Sequence, residues 1–131
     1  MLNDSYKVTP DASIHKFEAF EDDRGTLHVK DFSNFPVSFI RLFVIEGSKA
    51  GDIRGSHAHK ECWLFAYASG AGITLNIKNT CGSKTFALDQ SFGVLIPPYN
   101  WTEVLFEIKS AKLNILASHP YDANDYISTI P

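Results

Sequence analysis

Two histidines separated by one residue, His57 and His59, are the side chains in this sequence best suited to chemistry. In an extended strand residues i and i+2 point to the same face, so both imidazoles look into one cavity while Ala58 faces the opposite side. They follow Gly51-Asp52-Ile53-Arg54-Gly55-Ser56, whose glycines let the chain turn sharply before the pair. Imidazole titrates near neutral pH, so one ring can act as a general base and the other as an acid or orienter. Such a pair suits proton transfer beside a carbonyl: epimerisation, migration of a ketone, or dehydration of a sugar. It does not suit nucleophilic hydrolysis, because no Ser or Cys nucleophile motif accompanies it. Buried imidazoles are costly without partners, which points to function rather than packing for two that share a lumen.

The elements that hold this pair read as short strands. Turn residues recur at Gly25, Pro36, Gly47, Gly51, Gly55, Gly70, Gly72, Gly82, Gly93, Pro97, Pro98 and Pro120. Between them lie segments rich in Val, Ile, Phe, Tyr and Thr, the pattern of an all-β sandwich or barrel. Strands are predicted over Thr26–Val29, Phe39–Glu46 (mostly buried), Glu61–Ala68, Gly72–Lys78, Lys84–Leu88, Gly93–Ile96, Thr102–Ile108 and Leu113–Ala117. The strand over 72–78 is the clearest, with Ile73, Leu75 and Ile77 alternating with Thr74, Asn76 and Lys78. No segment holds a 3.6-residue apolar period over ten positions, and the tail from His119 is expected to be irregular or a short helical turn.

The totals fit one domain over residues 1–131, large enough to bury its own core. With 44% apolar residues and a net charge of −3, the chain is globular and lacks the basic face that nucleic acid requires. No apolar run is long enough for a membrane span or a secretory signal, so a cytoplasmic protein without membrane or nucleic-acid partners is expected. Cys62 and Cys81 fit no zinc spacing and no disulfide framework, and are expected to be free thiols.

Gly51, five residues, then His57-x-His59 resembles the opening of the cupin signature. Metal-binding cupins continue with a Glu and, later, a third His. Here the Glu position falls at Trp63 or Leu64, and the stretch from Gly93 to Glu107 contains no His. Two histidines and a possible Glu103 are a minimal set for a transition metal. No metal and no cofactor are therefore expected.

A more specific resemblance follows. Arg54-Gly55-x-His57-Ala58-His59-Lys60 is similar to the core motif of the sugar-nucleotide 3,4-ketoisomerases, the WxcM-like branch of the cupins. Asp23-Arg24-Gly25-Thr26-Leu27, Arg41, Trp101-x-Glu103, Leu116-Ala117-Ser118, Tyr121-Asp122 and Asp125-Tyr126-Ile127 match that family in the same order, from about Ile14 to Ile127. The resemblance implies an RmlC-like jelly-roll barrel. It also implies a metal-independent isomerase that moves the ketone of a dTDP-linked 4-keto-6-deoxyhexose from C4 to C3. The product feeds 3-amino deoxysugars of surface glycans, such as O-antigen or S-layer. It further implies a homodimer that can exchange an N-terminal strand.

On that reading His57 and His59 are catalytic, in an order the sequence leaves open. Arg24, Arg41 and Arg54 are candidates for the diphosphate, since guanidinium forks onto phosphate oxygens. Tyr99 or Trp101 could stack on the base, and Glu103 joins the substrate-binding set. The sequence departs from the family at Phe43, where a Tyr is usual, and at Thr102, where a His is frequent. Thr102, Glu103 or Tyr99 could then carry the proton those groups would carry. The competing readings are a 3,5-epimerase of the same sugar-nucleotide class, which pairs one His with Asp and Tyr, and a non-catalytic cupin that binds a sugar nucleotide.

Overall fold

In the computed structural model, which describes residues 11–131, apolar and β-branched segments form strands and the turn residues separate them. The strands are β1 (Ser13–Lys16), β2 (Glu18–Asp22), β3 (Gly25–Val29), β4 (Arg41–Glu46), β5 (Asp52–His59), β6 (Leu64–Ala68), β7 (Ile73–Asn79), β8 (Gly82–Leu88), β9 (Phe92–Ile96), β10 (Trp101–Phe106) and β11 (Lys112–Ala117). A 3-10 turn at Ala123–Asp125 leads into β12 (Tyr126–Ile127). One sheet has the order β1-β9-β6-β11-β4, the second β12-β5-β10-β7-β8, and among the described residues β2 pairs only with β3. The pairings are antiparallel throughout.

The inner faces of the two five-stranded sheets build one core. Leu64, Ala66 and Ala68 of β6 meet Ile73, Leu75 and Ile77 of β7, with Val94, Val104, Leu113 and Ala117 between them. The alternation seen in the sequence of β7 is thus an inside–outside alternation. The central strand β6 is buried on both faces and reads as an unbroken apolar run. Its outer face is covered by the β3–β4 connection: the Phe35 ring lies 4.8 Å from that of Phe65, and Phe32 and Phe39 also contact Phe65. Gly93 makes this possible, because a Cβ there would stand 2.3 Å from Phe65 Cζ.

The structure changes three expectations. The strand over 39–46 begins at Arg41 and is not mostly buried: Arg41, Phe43 and Ile45 face inward, while Leu42 and Val44 on its outer face are 54% and 52% exposed. Nothing among the described residues covers that outer face, so only the inward side of β4 is half-buried. Strands β1 and β2, which show no clear period, were not expected. The tail holds the expected short helical turn, at Ala123–Asp125, and beyond expectation adds the two-residue β12 to the edge of β5. Both cysteines are free thiols, Cys62 buried and Cys81 exposed.

Candidate active site

A bulge in β5 decides which side chains enter the barrel. In the pairing of β5 with β10, Arg54 lies opposite Val104 and Gly55 opposite Glu103, but His57, not Ser56, lies opposite Thr102. Gly55 and Ser56 have φ of 87° and 55°, so both occupy the left-handed region. The extra residue resets the alternation. Without it, Arg54 and the two histidines would point to opposite faces. With it, all three lie on the face of Val104 and Thr102. A Cβ on Gly55 would meet the Thr102 carbonyl oxygen at 2.8 Å, so the bulge needs glycine on two counts.

His57 and His59 line one cavity together with Arg41, Phe43, Thr102 and Tyr126. The cavity has a volume of about 80 Å³, and Leu64, Leu75, Ile96, Val104 and Ile115 give it apolar walls. The two imidazoles are 5.0 Å apart and edge-to-face. The Tyr126 ring packs against both, 4.7 Å from His57 and 4.5 Å from His59.

Each histidine is held by its Nδ1. That of His57 lies 3.0 Å from the Gly55 carbonyl, which can only accept, so Nδ1 carries the hydrogen. That of His59 lies 3.0 Å from Asp125 Oδ2. Asp125 in turn accepts from the backbone N–H groups of Glu61 (2.8 Å) and Cys62 (3.2 Å). Both rings therefore present an unprotonated Nε2 when neutral. Burial pushes the His59 pKa below the ordinary imidazole value; the Asp125 hydrogen bond opposes this, and the positive charges of His57 and Arg41 add to it. Burial works to raise the Asp125 pKa, but its hydrogen bonds from Glu61, His59 and Cys62 outweigh that and hold it below the usual carboxylate value. The Tyr126 phenol is pushed up, first by burial, so it stays protonated at neutral pH.

Arg41 contributes the third polar group. Its guanidinium carbon sits 4.9 Å from the centre of the Phe43 ring. Its Nε is buried and has no hydrogen-bond partner among the described residues. An unpaired buried donor on a cation is costly unless a ligand accepts from it. Phe43, which lacks the hydroxyl of a Tyr, thus supplies a face for Arg41.

The other sequence candidates lie elsewhere. Arg24 sits at the tip of the β2–β3 hairpin, 86% exposed, and pairs with Asp22 at 2.7 Å. Arg54 is exposed and outside the cavity lining, although it lies on the inward face. Tyr99 is 45% exposed in a left-handed turn (φ 62°), where its N–H donates to the His59 carbonyl at 2.8 Å. Trp101 and Glu103 bond to each other, Nε1 to Oε1 at 3.0 Å, on the face of β10 opposite Thr102 and Val104. The Thr102 hydroxyl, inside, donates to the Asn100 carbonyl at 3.3 Å. Asp125 and Tyr126, quoted in the sequence only as part of a C-terminal match, were not assigned to the site. A carboxylate beside an aromatic in a segment without period gives no local signal. The available hint is that a buried histidine base requires an acidic partner somewhere in the chain.

Comparison with known proteins agrees with this geometry. The family described as FdtA: WxcM-like, C-terminal, matches residues 10–130. The TDP-4-oxo-6-deoxy-alpha-D-glucose-3,4-oxoisomerase of Aneurinibacillus thermoaerophilus is 31% identical over 118 residues, covering 87% of this chain and 84% of that protein. Among solved structures, a 3,4-ketoisomerase from Helicobacter canadensis is similar with a TM-score of 0.80 and 29% identity, covering 91% of each chain. QdtA, a sugar 3,4-ketoisomerase from Thermoanaerobacterium thermosaccharolyticum solved in complex with TDP, is similar at 0.80 and 27%, over 90% of this chain and 88% of that one. A dTDP-4-dehydrorhamnose 3,5-epimerase from Bacillus anthracis, at 18% identity and a TM-score of 0.79, shares the fold. The all-β barrel is thus the RmlC-like cupin fold, and the chain belongs to the WxcM-like, FdtA-type family of sugar-nucleotide 3,4-ketoisomerases.

Proposed function

We propose that this chain, acting as one cupin unit over residues 1–131, converts a TDP-linked 4-keto-6-deoxyhexose to its 3-keto isomer without a metal. The observation that carries the reading is the His57–His59 pair facing one cavity, with His59 buttressed by Asp125. The relatives' activity on TDP-linked 4-keto sugars supports the substrate. The proton on C3 is acidic because it neighbours the C4 carbonyl. His59 Nε2 removes it, and the charge passes into an enediolate. Asp125 holds the resulting imidazolium in place and stabilises it. A proton returns at C4, and His57 carries the hydroxyl proton from O3 to O4. Arg41 directs its unpaired donor to the anionic substrate, and its charge opposes the developing enediolate. No atom is gained or lost in the cycle.

Proton NMR of the protein with TDP-4-keto-6-deoxyglucose in deuterated water tests this, with and without chelator. The expected result is a 3-keto species carrying deuterium at C4, formed equally fast in both samples. Exchange at C3 and C5 without ketone migration would assign an epimerase, and unchanged signals broadened by the protein would assign a binding module.

The same reading extends to a cytoplasmic homodimer, which two exposed apolar faces support. The β2–β3 hairpin leaves Phe20 and Leu27 56% and 63% exposed and joins neither large sheet. Ile40, Leu42 and Val44 expose a second apolar strip along the edge strand β4 and the residue before it. A second copy that covers both would remove the open edge and bury these side chains. Charged substitutions at Phe20 and Leu27 are expected to shift the protein from dimer to monomer in light scattering. A natively monomeric wild type, or a variant that stays dimeric, would reject this assembly.

A further inference from the structure

We propose that His59, Cys62 and Asp125 form a binding site for a thiophilic divalent cation, Zn2+ or Cd2+, and that filling it switches the isomerase off. The inhibitory half rests on the function proposed above; the binding half does not. One ligand atom from each residue, nitrogen, sulfur and oxygen, falls within 4.8 Å of the others. The three come from the end of β5, the β5–β6 connection and the 3-10 turn, so the fold and not local sequence brings them together. His59 and Cys62 are 7% and 3% exposed, and the Asp125 side chain is 13% exposed.

A mixed N, S, O set from His, Cys and carboxylate is the donor chemistry of zinc, with a fourth position left for water. Bonds of about 2.0–2.3 Å set tetrahedral donors roughly 3.5 Å apart, so the widest pair here closes by about an ångström. The Cys62 sulfur is already in polar surroundings: its S–H points to the Trp63 carbonyl at 3.5 Å, and the Ser118 hydroxyl lies 3.9 Å away.

The chemistry of occupation follows from which nitrogen is used. The cation takes His59 Nδ1 and replaces its N–H···Oδ2 bond to Asp125. The imidazole proton moves to Nε2, and the Cys62 thiol proton leaves to solvent. Nε2 then carries a hydrogen and cannot accept one from C3. The ion is an inhibitor for the same reason that Asp125 is an activator: both compete for Nδ1.

The test uses the whole chain carrying Cys81→Ser, which removes the exposed thiol, after chelator treatment. Cd2+ is titrated while thiolate-to-metal charge-transfer absorption is recorded, and turnover is measured in parallel against Zn2+. The expected result is one Cd2+ per chain with a sulfur band, and Zn2+ inhibition that chelator reverses. Cys62→Ser in that background should abolish the band, leave metal-free turnover within about twofold, and weaken Zn2+ inhibition at least about tenfold. Cys62→Ala, with Zn2+-dependent melting as readout, serves if the Ser variant does not fold. A band that survives loss of Cys62, or no stoichiometric binding to the Cys81→Ser protein, overturns the site. Metal-free protein that binds Cd2+ as expected but shows no turnover rejects the proposed function and leaves the site standing.

Discussion

In the Asp125→Asn protein, kcat for ketone migration should fall about 10²- to 10⁴-fold, the range that a positioned acid–base system supplies, while TDP binding changes little. His59→Asn should fall by as much or more. Asp125 does not contact the sugar in the proposed cycle; it fixes the His59 tautomer and opposes the imidazolium charge. The pH profile separates these roles from a merely structural one. Because burial lowers the His59 pKa, the acid limb of kcat/KM in the wild type should lie below about 6.5, the ordinary imidazole value. Removing the Asp125 carboxylate removes an interaction that raises that pKa, so the residual activity should show a limb displaced further to acid. An unmoved limb would mean that Asp125 only braces the turn. The same shift has a stability consequence. The folded pKa of His59 lies below its unfolded value, so its contribution is present above about pH 6.5 and is lost as pH falls through the folded value.

Gly55→Ala should be nearly as damaging by another route. Alanine at φ 87° is strained, and its Cβ would meet the Thr102 carbonyl oxygen at 2.8 Å. The backbone term alone costs of order 1–3 kcal/mol, a fall in Tm of roughly 5–10 °C for a chain of this length. The larger effect is on the register: easing the clash moves β5 against β10 and turns the imidazoles off their common cavity. Gly51→Ala is the control, since Gly51 also has positive φ (94°) but open space where the Cβ would go. It should lose stability and retain turnover. Equal losses of turnover in the two variants would show that the bulge is not the aiming device.

The bulge also marks where sequence reading stops. The spacing of His57 and His59 gives their shared face directly, because that requires only the two-residue period. It cannot give their relation to Arg54, which depends on one inserted residue that no alternation rule detects. Trp101 and Glu103, named from the family resemblance, share the outer face of β10, and Thr102 between them is the residue that enters the cavity. Ile73, Leu75 and Ile77 were legible because one face of β7 is buried and the other is not. Asp125 was not, because its role depends on a contact spanning 66 residues to His59. Arg41 was legible through the family resemblance as a guanidinium for the diphosphate, and the structure adds that its Nε is left unpaired among the described residues.

The neighbours of β5 carry a consequence for how the protein is made. Asp52–His59 pairs with Trp101–Phe106 and Tyr126–Ile127, and with no segment close to it in the chain. Hairpins such as β7–β8 can close early, because their partners are adjacent. The histidine strand must wait for two distant segments, and such non-local pairings are slow to form. Its backbone pairs only when those segments arrive. The His59–Asp125 contact that buttresses the base is therefore absent from any fragment ending before residue 125.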